Sequence, residues 1–191
     1  MNLLVIVGST RPGRAGLPIS QWFAEQAQSH EDVQVTVADL AELNLPLLDE
    51  PNHPRLRQYL NRHTKEWSTI VDAADAIVFV TPEYNHSYPA ALKNAIDYLH
   101  QEWQYKPVGF VSYGGVSAGT RAVAALKPVV SVLKMVPVAE NVNIPFHTQF
   151  IDDGVVEPNE TMTQAADAMV DELVRVAAAL RPLRETERRA A

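Results

Sequence analysis

Gly8-Ser9-Thr10-Arg11-Pro12-Gly13-Arg14 follows the apolar run Leu3-Leu4-Val5-Ile6-Val7 directly and precedes a stretch with helical spacing. A strand that breaks into glycines, hydroxyls and arginines ahead of a helix is how an α/β chain builds an anion site. The first N–H groups of such a helix have no partner of their own and carry partial positive charge. Ser9 and Thr10 add hydroxyl donors, and Arg11 or Arg14 can grip a phosphate bidentately. The letters do not make a nucleotide P-loop. Gly8 and Gly13 have its interval, but Arg14 and Ala15 stand where its lysine and metal-binding hydroxyl must be. A dinucleotide fingerprint needs three glycines, and Gly13 and Gly16 give only the last pair, although Asp39 stands after the second apolar run as that motif's acid does. A loop with hydroxyls and arginine, without lysine or an acidic metal partner, suits a terminal phosphate monoester such as that of FMN. The plainer reading is an ordinary strand-to-helix turn with surface arginines.

Two more clusters have unusual composition. Pro82-Glu83-Tyr84-Asn85-His86-Ser87-Tyr88-Pro89 follows the apolar run 76–81, and Ser112-Tyr113-Gly114-Gly115 closes the run 108–112. A flat aromatic ligand needs a platform and a close approach of backbone. Tyr84 and Pro82 supply surface, Gly114 and Gly115 admit the chain without a Cβ in the way, and Asn85 offers both a donor and an acceptor. The plainer reading of the first cluster is a Pro-Glu turn before a helix starting near Pro89, which explains Pro89 and not the rest.

These clusters need a scaffold that brings them together. Five apolar runs, 3–7, 33–37, 76–81, 108–112 and 136–142, alternate with helical stretches. Ile19, Phe23 and Ala27 share one helical face, Leu92, Ala95, Ile96 and Leu99 another, and Met162, Met169, Leu173, Val176 and Leu180 a third. Strands that are apolar almost throughout are buried on both sides, so the pattern predicts an α/β fold: a flavodoxin-like, doubly wound, five-stranded parallel sheet of order 2-1-3-4-5 with helices on both faces. Ligands bind such sheets beyond the carboxyl ends of the strands, where all three clusters fall. Residues 1–182 are expected to form one domain. Thr161 and Gln164 suggest a capping box for the last helix, Pro182 marks its end, and residues 183–191 read as a charged, frayed tail. The longest loop expected over the ligand edge is 44–54.

Composition excludes several classes of function. Among the 191 residues there is no cysteine, so no thiol nucleophile, disulfide or redox dithiol exists, and redox chemistry must come with a bound cofactor. A net charge of −7 argues against a nucleic-acid surface. No apolar run approaches the roughly 20 residues that cross a bilayer, and no basic segment with a long apolar stretch precedes the first loop. The expectation is a cytoplasmic protein with neither a nucleic-acid nor a membrane partner, and with no metal site.

The loop Gly8-Ser9-Thr10-Arg11, the block from Thr81 to Asp97 and Ser112-Tyr113-Gly114-Gly115 together closely resemble the NADPH-dependent FMN reductase family, which has a flavodoxin-like fold. The matches fall in all three loops, and Pro82-Glu83-Tyr84-Asn85 is the most specific of them. The resemblance implies that Ser9, Arg11 and Arg14 hold the FMN phosphate, that Pro82, Glu83, Tyr84 and Asn85 line the isoalloxazine, and that Ser112, Gly114 and Gly115 border its other edge. Many members carry a further Ser and Asn in the first loop, where this chain has Gly13, Ala15 and Gly16, which leaves open how Arg14 and backbone N–H groups share the phosphate.

The resemblance also implies an activity: hydride passes from NADPH or NADH through FMN to a second acceptor, such as a flavin, quinone, azo or nitro compound or metal oxyanion. No catalytic side chain is required, and a homodimer or homotetramer is expected. Two alternatives are a flavodoxin-like electron carrier with protein partners and a flavin-free binding module. Other residues read more plainly. His86 is a solvated loop histidine, Glu83 a structural hydrogen-bond or salt-bridge partner, and Lys93 with Asp97 an exposed helical pair. Trp22, Trp67 and Trp103 are core or interface aromatics, with Trp103 the candidate for a subunit contact, and Arg14 or Arg121 is placed to meet the 2′-phosphate of NADPH.

Overall fold

A computed structural model describes residues 1–190, with side chains described as far as Thr186. Five strands, β1 (Asn2–Val7), β2 (Gln34–Asp39), β3 (Ala76–Pro82), β4 (Pro107–Tyr113) and β5 (Val136–Ile144), form one sheet in the order β2-β1-β3-β4-β5. Every neighbouring pair is parallel, as expected. Between them lie α1 (Gly16–Gln28), a single turn α2 (Leu40–Leu43), α3 (Arg62–Ala73), α4 (Ala90–Asp97) and α5 (Thr120–Val132); the chain closes with a short hairpin of β6 (Ile151–Asp152) and β7 (Val155–Val156) and the long α6 (Glu160–Ala190).

The apolar runs are uninterrupted because each central strand feeds two cores. Leu3 and Val5 of β1, Val78 and Val80 of β3 and Val111 of β4 pack under α1 and α6. Their neighbours Leu4, Ile6, Ile77, Phe79 and Phe110 pack under α3, α4 and α5. With a side-chain period of two, both alternate sets must be apolar when both faces are covered. The faces predicted for α1, α4 and α6 are those buried: Phe23, Ile96 and Leu173 are all within 1 % of complete burial. Lys93 and Asp97 form the expected exposed pair, 2.6 Å apart.

Three expectations change. The 44–54 loop stands at the carboxyl edge, beside Thr10, Leu40 and Ala90, but lines no part of the cavity between the loops that follow β1, β3, β4 and β5. It lies against α4, where the Asn94 amide donates to the Pro46 carbonyl at 2.7 Å and accepts from the Leu48 N–H at 2.9 Å, and the Tyr98 hydroxyl donates to the same Pro46 carbonyl at 3.0 Å. There it lines a separate cleft of about 450 Å³. Trp103 is fully buried, its ring 6.0 Å from Trp67 and 6.2 Å from Phe79, with its indole N–H on the Ile96 carbonyl, so it belongs to the core and not to a subunit surface.

The last helix differs at both ends. It starts at Glu160, earlier than a Thr161 cap would allow, because the side chain of Asn159 accepts the Met162 N–H at 2.9 Å and caps the turn first. It also runs through Pro182 instead of ending there. The reason is Arg184, only 7 % exposed, which donates to the carbonyls of Tyr105 at 3.1 Å and Ala177 at 3.3 Å and pairs with Asp75 at 3.1 Å. Anchoring by these tertiary contacts outweighs the one backbone hydrogen bond that a proline removes. The backbone of 183–190, expected as a tail, is helical, and Ala191 lies outside the described residues.

Among the described residues no helix is long and apolar enough to cross a membrane, and no group of three or more His, Cys, Asp or Glu side chains stands ready to hold a metal. Replacing the anchor, Arg184→Ala, should destabilise the protein by about 2 kcal/mol, roughly 4–8 °C in thermal midpoint for a chain of this length. An unchanged midpoint on thermal unfolding would mean that the helix beyond Pro182 contributes nothing to the fold.

Candidate active site

At the carboxyl edge of the sheet the loops after β1, β3, β4 and β5 enclose a cavity of about 820 Å³. Its first wall is the loop between β1 and α1. No side chain caps α1, and Pro18 in its first turn has no N–H; the Gly16 N–H is turned to the Tyr113 hydroxyl, so the Leu17 N–H at the cavity wall is the one left for a ligand. The chain enters this helix close against β4: a Cβ on Gly16 would stand 2.6 Å from the Tyr113 hydroxyl, and only glycine allows that approach. Arg11 is exposed and makes no ion pair among the described residues. Arg14 is ion-paired with Asp39, whose other oxygen accepts the Ala41 N–H at 2.9 Å and caps α2. The Arg14 Nε is buried and has no partner. Ser9 is fully buried and lies behind the wall, its hydroxyl sharing a 2.7 Å hydrogen bond with the Tyr84 hydroxyl and accepting the Arg11 N–H at 3.4 Å.

The second wall is the block after β3. Tyr84 and Ser87 exchange backbone hydrogen bonds of 2.8 and 3.0 Å across a two-residue turn. Both residues at its tip have positive φ, 49° at Asn85 and 67° at His86, the geometry of a mirror-image hairpin turn that asparagine tolerates better than most residues. Asn85 and His86 are exposed at this tip, outside the cavity lining. Pro82 and Tyr84 line it. Glu83 also reaches the wall, yet its carboxylate is occupied. It accepts from the Arg121 guanidinium at 2.6 Å, the Arg121 N–H at 3.3 Å and the Ser117 hydroxyl at 2.9 Å. The Arg121 guanidinium holds this carboxyl below the usual carboxylate range, so Glu83 is an ionised anchor that ties the block to α5. Arg14 and Arg121, the two candidates for a coenzyme phosphate, are both paired with carboxylates.

The floor comes from the loop after β4. Ser112 is fully buried and turned sideways, its hydroxyl donating to Asn143 of β5 at 2.9 Å, so it supports the loop and does not line the cavity. Gly114 and Gly115 do line it. A Cβ on Gly115 would meet nothing within 4 Å, and its φ lies outside the left-handed region, so the backbone conformation does not demand glycine there. What glycine supplies at 115 is open space on the cavity side. The loop is held from behind by the segment after β5: the Gly114 N–H donates to Ile144, the Gly115 carbonyl accepts from Phe146 at 3.2 Å, and the Gly114 carbonyl accepts both the N–H of His147 at 3.3 Å and its ring Nδ1 at 3.1 Å. Tyr113 stands between, buried, its ring edge-on to His147 at 5.1 Å; burial pushes its hydroxyl pKa up.

Sequence reasoning thus finds three walls and misses the fourth. His147, Thr148, Ile151 and Gly154 after β5, and Leu17, Pro18 and Gln21 of α1, also line the cavity. A signal existed: β5 is parallel to its neighbours, so the loop after it must emerge at the same edge.

Comparison with known proteins places this geometry in context. Residues 1–149 match the family model described as NADPH-dependent FMN reductase. An NAD(P)H-dependent FMN reductase of Schizosaccharomyces pombe is 39% identical over 167 residues, covering 85% of this chain and 82% of the relative. An FMN-dependent NADPH-azoreductase of Staphylococcus haemolyticus is 30% identical over 179 residues, 91% of this chain and 94% of the relative. Among solved structures, the flavoenzyme NAD(P)H:(acceptor) oxidoreductase FerB of Paracoccus denitrificans superposes with a TM-score of 0.75 at 23% identity, over 93% of this chain and 97% of that one, and so shares the fold.

Proposed function

The chain belongs to the NADPH-dependent FMN reductase family, and from that premise we propose that it is an FMN-dependent oxidoreductase that takes reducing equivalents from NAD(P)H and passes them to a small-molecule acceptor. The observation that carries this reading is a single cavity with an anion-binding end and an open, Cβ-free floor. Its volume, about 820 Å³, lies within the range that cofactor sites occupy. Bound FMN would supply the hydride chemistry, and the protein supplies binding, orientation and charge.

Nine of the residues named from sequence have a place in this reading. Arg11 and the Leu17 N–H would hold the phosphate, with Arg14, fixed by Asp39, offering its unpartnered Nε. Ser9 holds the Tyr84 hydroxyl so that Tyr84 and Pro82 form a stable side wall. Glu83 fixes the block through Arg121, and Asn85 lets the chain turn back at the rim. Gly115 opens the floor to a flat ring, while Ser112 steadies the loop through Asn143. Residues 1–182 would act as one FMN-binding unit in the cytoplasm, where NAD(P)H is supplied. The exposed side chains of Leu47, Leu56 and Leu60, 83%, 58% and 63% accessible, support a homodimer or homotetramer.

The direct test is optical. Protein incubated with FMN and freed of excess ligand should keep a flavin spectrum, bleach when NAD(P)H is added without oxygen, and recover its colour with a quinone. A spectrum that persists in NAD(P)H would instead describe an electron carrier, and no retained flavin would describe a binding module of another kind. Two variants then map the site by titration of apo protein. Arg11→Ala should weaken FMN by roughly ten- to a hundredfold, about 1.5–3 kcal/mol, and riboflavin hardly at all. Equal losses for both ligands would remove Arg11 from the phosphate. Gly115→Val should weaken FMN and riboflavin alike, by roughly tenfold or more, while the apo protein keeps its stability within about 0.5 kcal/mol. Wild-type affinity in that variant would mean that no ring approaches position 115.

A further inference from the structure

Reduction of a quinone by hydride leaves one oxygen short of a proton, and the cavity must provide it or wait for water. Its described lining holds six titratable side chains: Arg11, Arg14, Glu83, Tyr84, Tyr113 and His147. Guanidinium groups stay protonated at any working pH. Glu83 is kept ionised by Arg121 and has no proton to give. The Tyr84 hydroxyl is shared with Ser9, and that of Tyr113 is buried against Gly16 with its ionisation suppressed. The imidazole of His147, which can hold a proton on either ring nitrogen and hand it on, is the group that remains.

The geometry around His147 assigns the two ring nitrogens. Nδ1 lies 3.1 Å from the carbonyl oxygen of Gly114. A carbonyl only accepts, so Nδ1 carries hydrogen in both charge states, and Nε2 is the atom that gains and loses a proton. The ring is fixed by its own backbone N–H on the same carbonyl and by edge-on contact with Tyr113. Beside it the mouth is apolar: Val116 and Phe146, 80% and 56% exposed, follow Gly115 and precede His147 directly in the chain. Phe146 is held there at φ 46°, an unusual conformation for a bulky residue, by its N–H on Gly115.

We propose that His147, through Nε2, donates the proton that completes the reduction of a quinone-type acceptor bound in this cavity. The proposal rests on the FMN-dependent reading above. The hydride that originates in NAD(P)H brings two electrons and one hydrogen to the quinone, breaking a carbonyl π bond. The second oxygen then takes the Nε2 proton, giving the hydroquinone and a neutral imidazole still bonded through Nδ1 to Gly114. Solvent water returns a proton to Nε2 before the next cycle.

The test compares acceptors in a rapid-mixing experiment on NAD(P)H-reduced, FMN-loaded protein. Benzoquinone needs a proton; ferricyanide takes electrons alone. In His147→Asn the side-chain amide can replace Nδ1 as donor to Gly114 and has no acid function, so the ratio of the benzoquinone rate to the ferricyanide rate should fall at least tenfold. FMN affinity and the thermal midpoint should stay close to wild type. In His147→Ala, added imidazole should restore the benzoquinone rate and leave the ferricyanide rate where it was. An unchanged ratio, or equal loss with both acceptors, overturns the proposal by reducing His147 to a support for the glycine loop. Wild-type protein that binds FMN without being reduced by NAD(P)H overturns the reading beneath, and this proposal with it.

Discussion

Burial of the sheet on both faces leaves its central strands nowhere to carry chemistry but their carboxyl ends. β1, β3 and β4 send alternate side chains into two separate cores, and each lost methyl group in either core would cost stability. A polar residue inside these strands must therefore find a partner, as Ser112 does in Asn143. The first place where hydroxyls, amides and charges escape this constraint is where the strands end. All five strands end at one edge because they run in the same direction, and the loops after four of them line the cavity. The cavity is the space left between the loops that turn back from that edge.

Within the cavity the charges are arranged in pairs with one exception. Arg14 faces Asp39, and Arg121 faces Glu83, each at a wall that must be rigid. Arg11 stands outside these pairings, next to a helix start with no cap. In a chain whose formal charge is −7, an anion is drawn in by this local asymmetry and not by the overall field. Rigid walls also lower the entropy lost when a ligand binds, because the ordering has been completed during folding.

Much of this was legible in the residues. Strand order followed from five apolar runs separated by helical periods, and the three walls followed from clusters whose composition no ordinary turn requires. What escaped shares one physical cause. Arg184 holds α6 straight beyond Pro182 through partners 109 and 79 residues away, Asp75 and Tyr105. Asn94 draws the 44–54 loop onto α4 from 46 and 48 positions along the chain. His147 joins the site through a carbonyl 33 residues before it. Local pattern reports on what a segment prefers by itself, whereas each of these placements is decided by a long-range hydrogen bond. The direction in which Ser9 and Ser112 point belongs to the same class: a hydroxyl beside a glycine loop reads as a ligand donor until its buried neighbour is seen.

Asp39 closes β2 in the position from which sheets of the dinucleotide-binding type present an acid to a ribose. Here that acid is already engaged twice, once by Arg14 and once by the N–H that opens α2. Added glycines in the first loop would not by themselves free this acid for a ribose, because the arginine would still hold it. Losing Arg14 alone would leave a carboxylate only 4% exposed with the Ala41 N–H as its remaining partner and no opposite charge, at a cost in stability. The pair therefore acts as a barrier between two neighbouring ligand classes on one architecture, and it marks Arg14 and Asp39 as positions to be redesigned together or not at all.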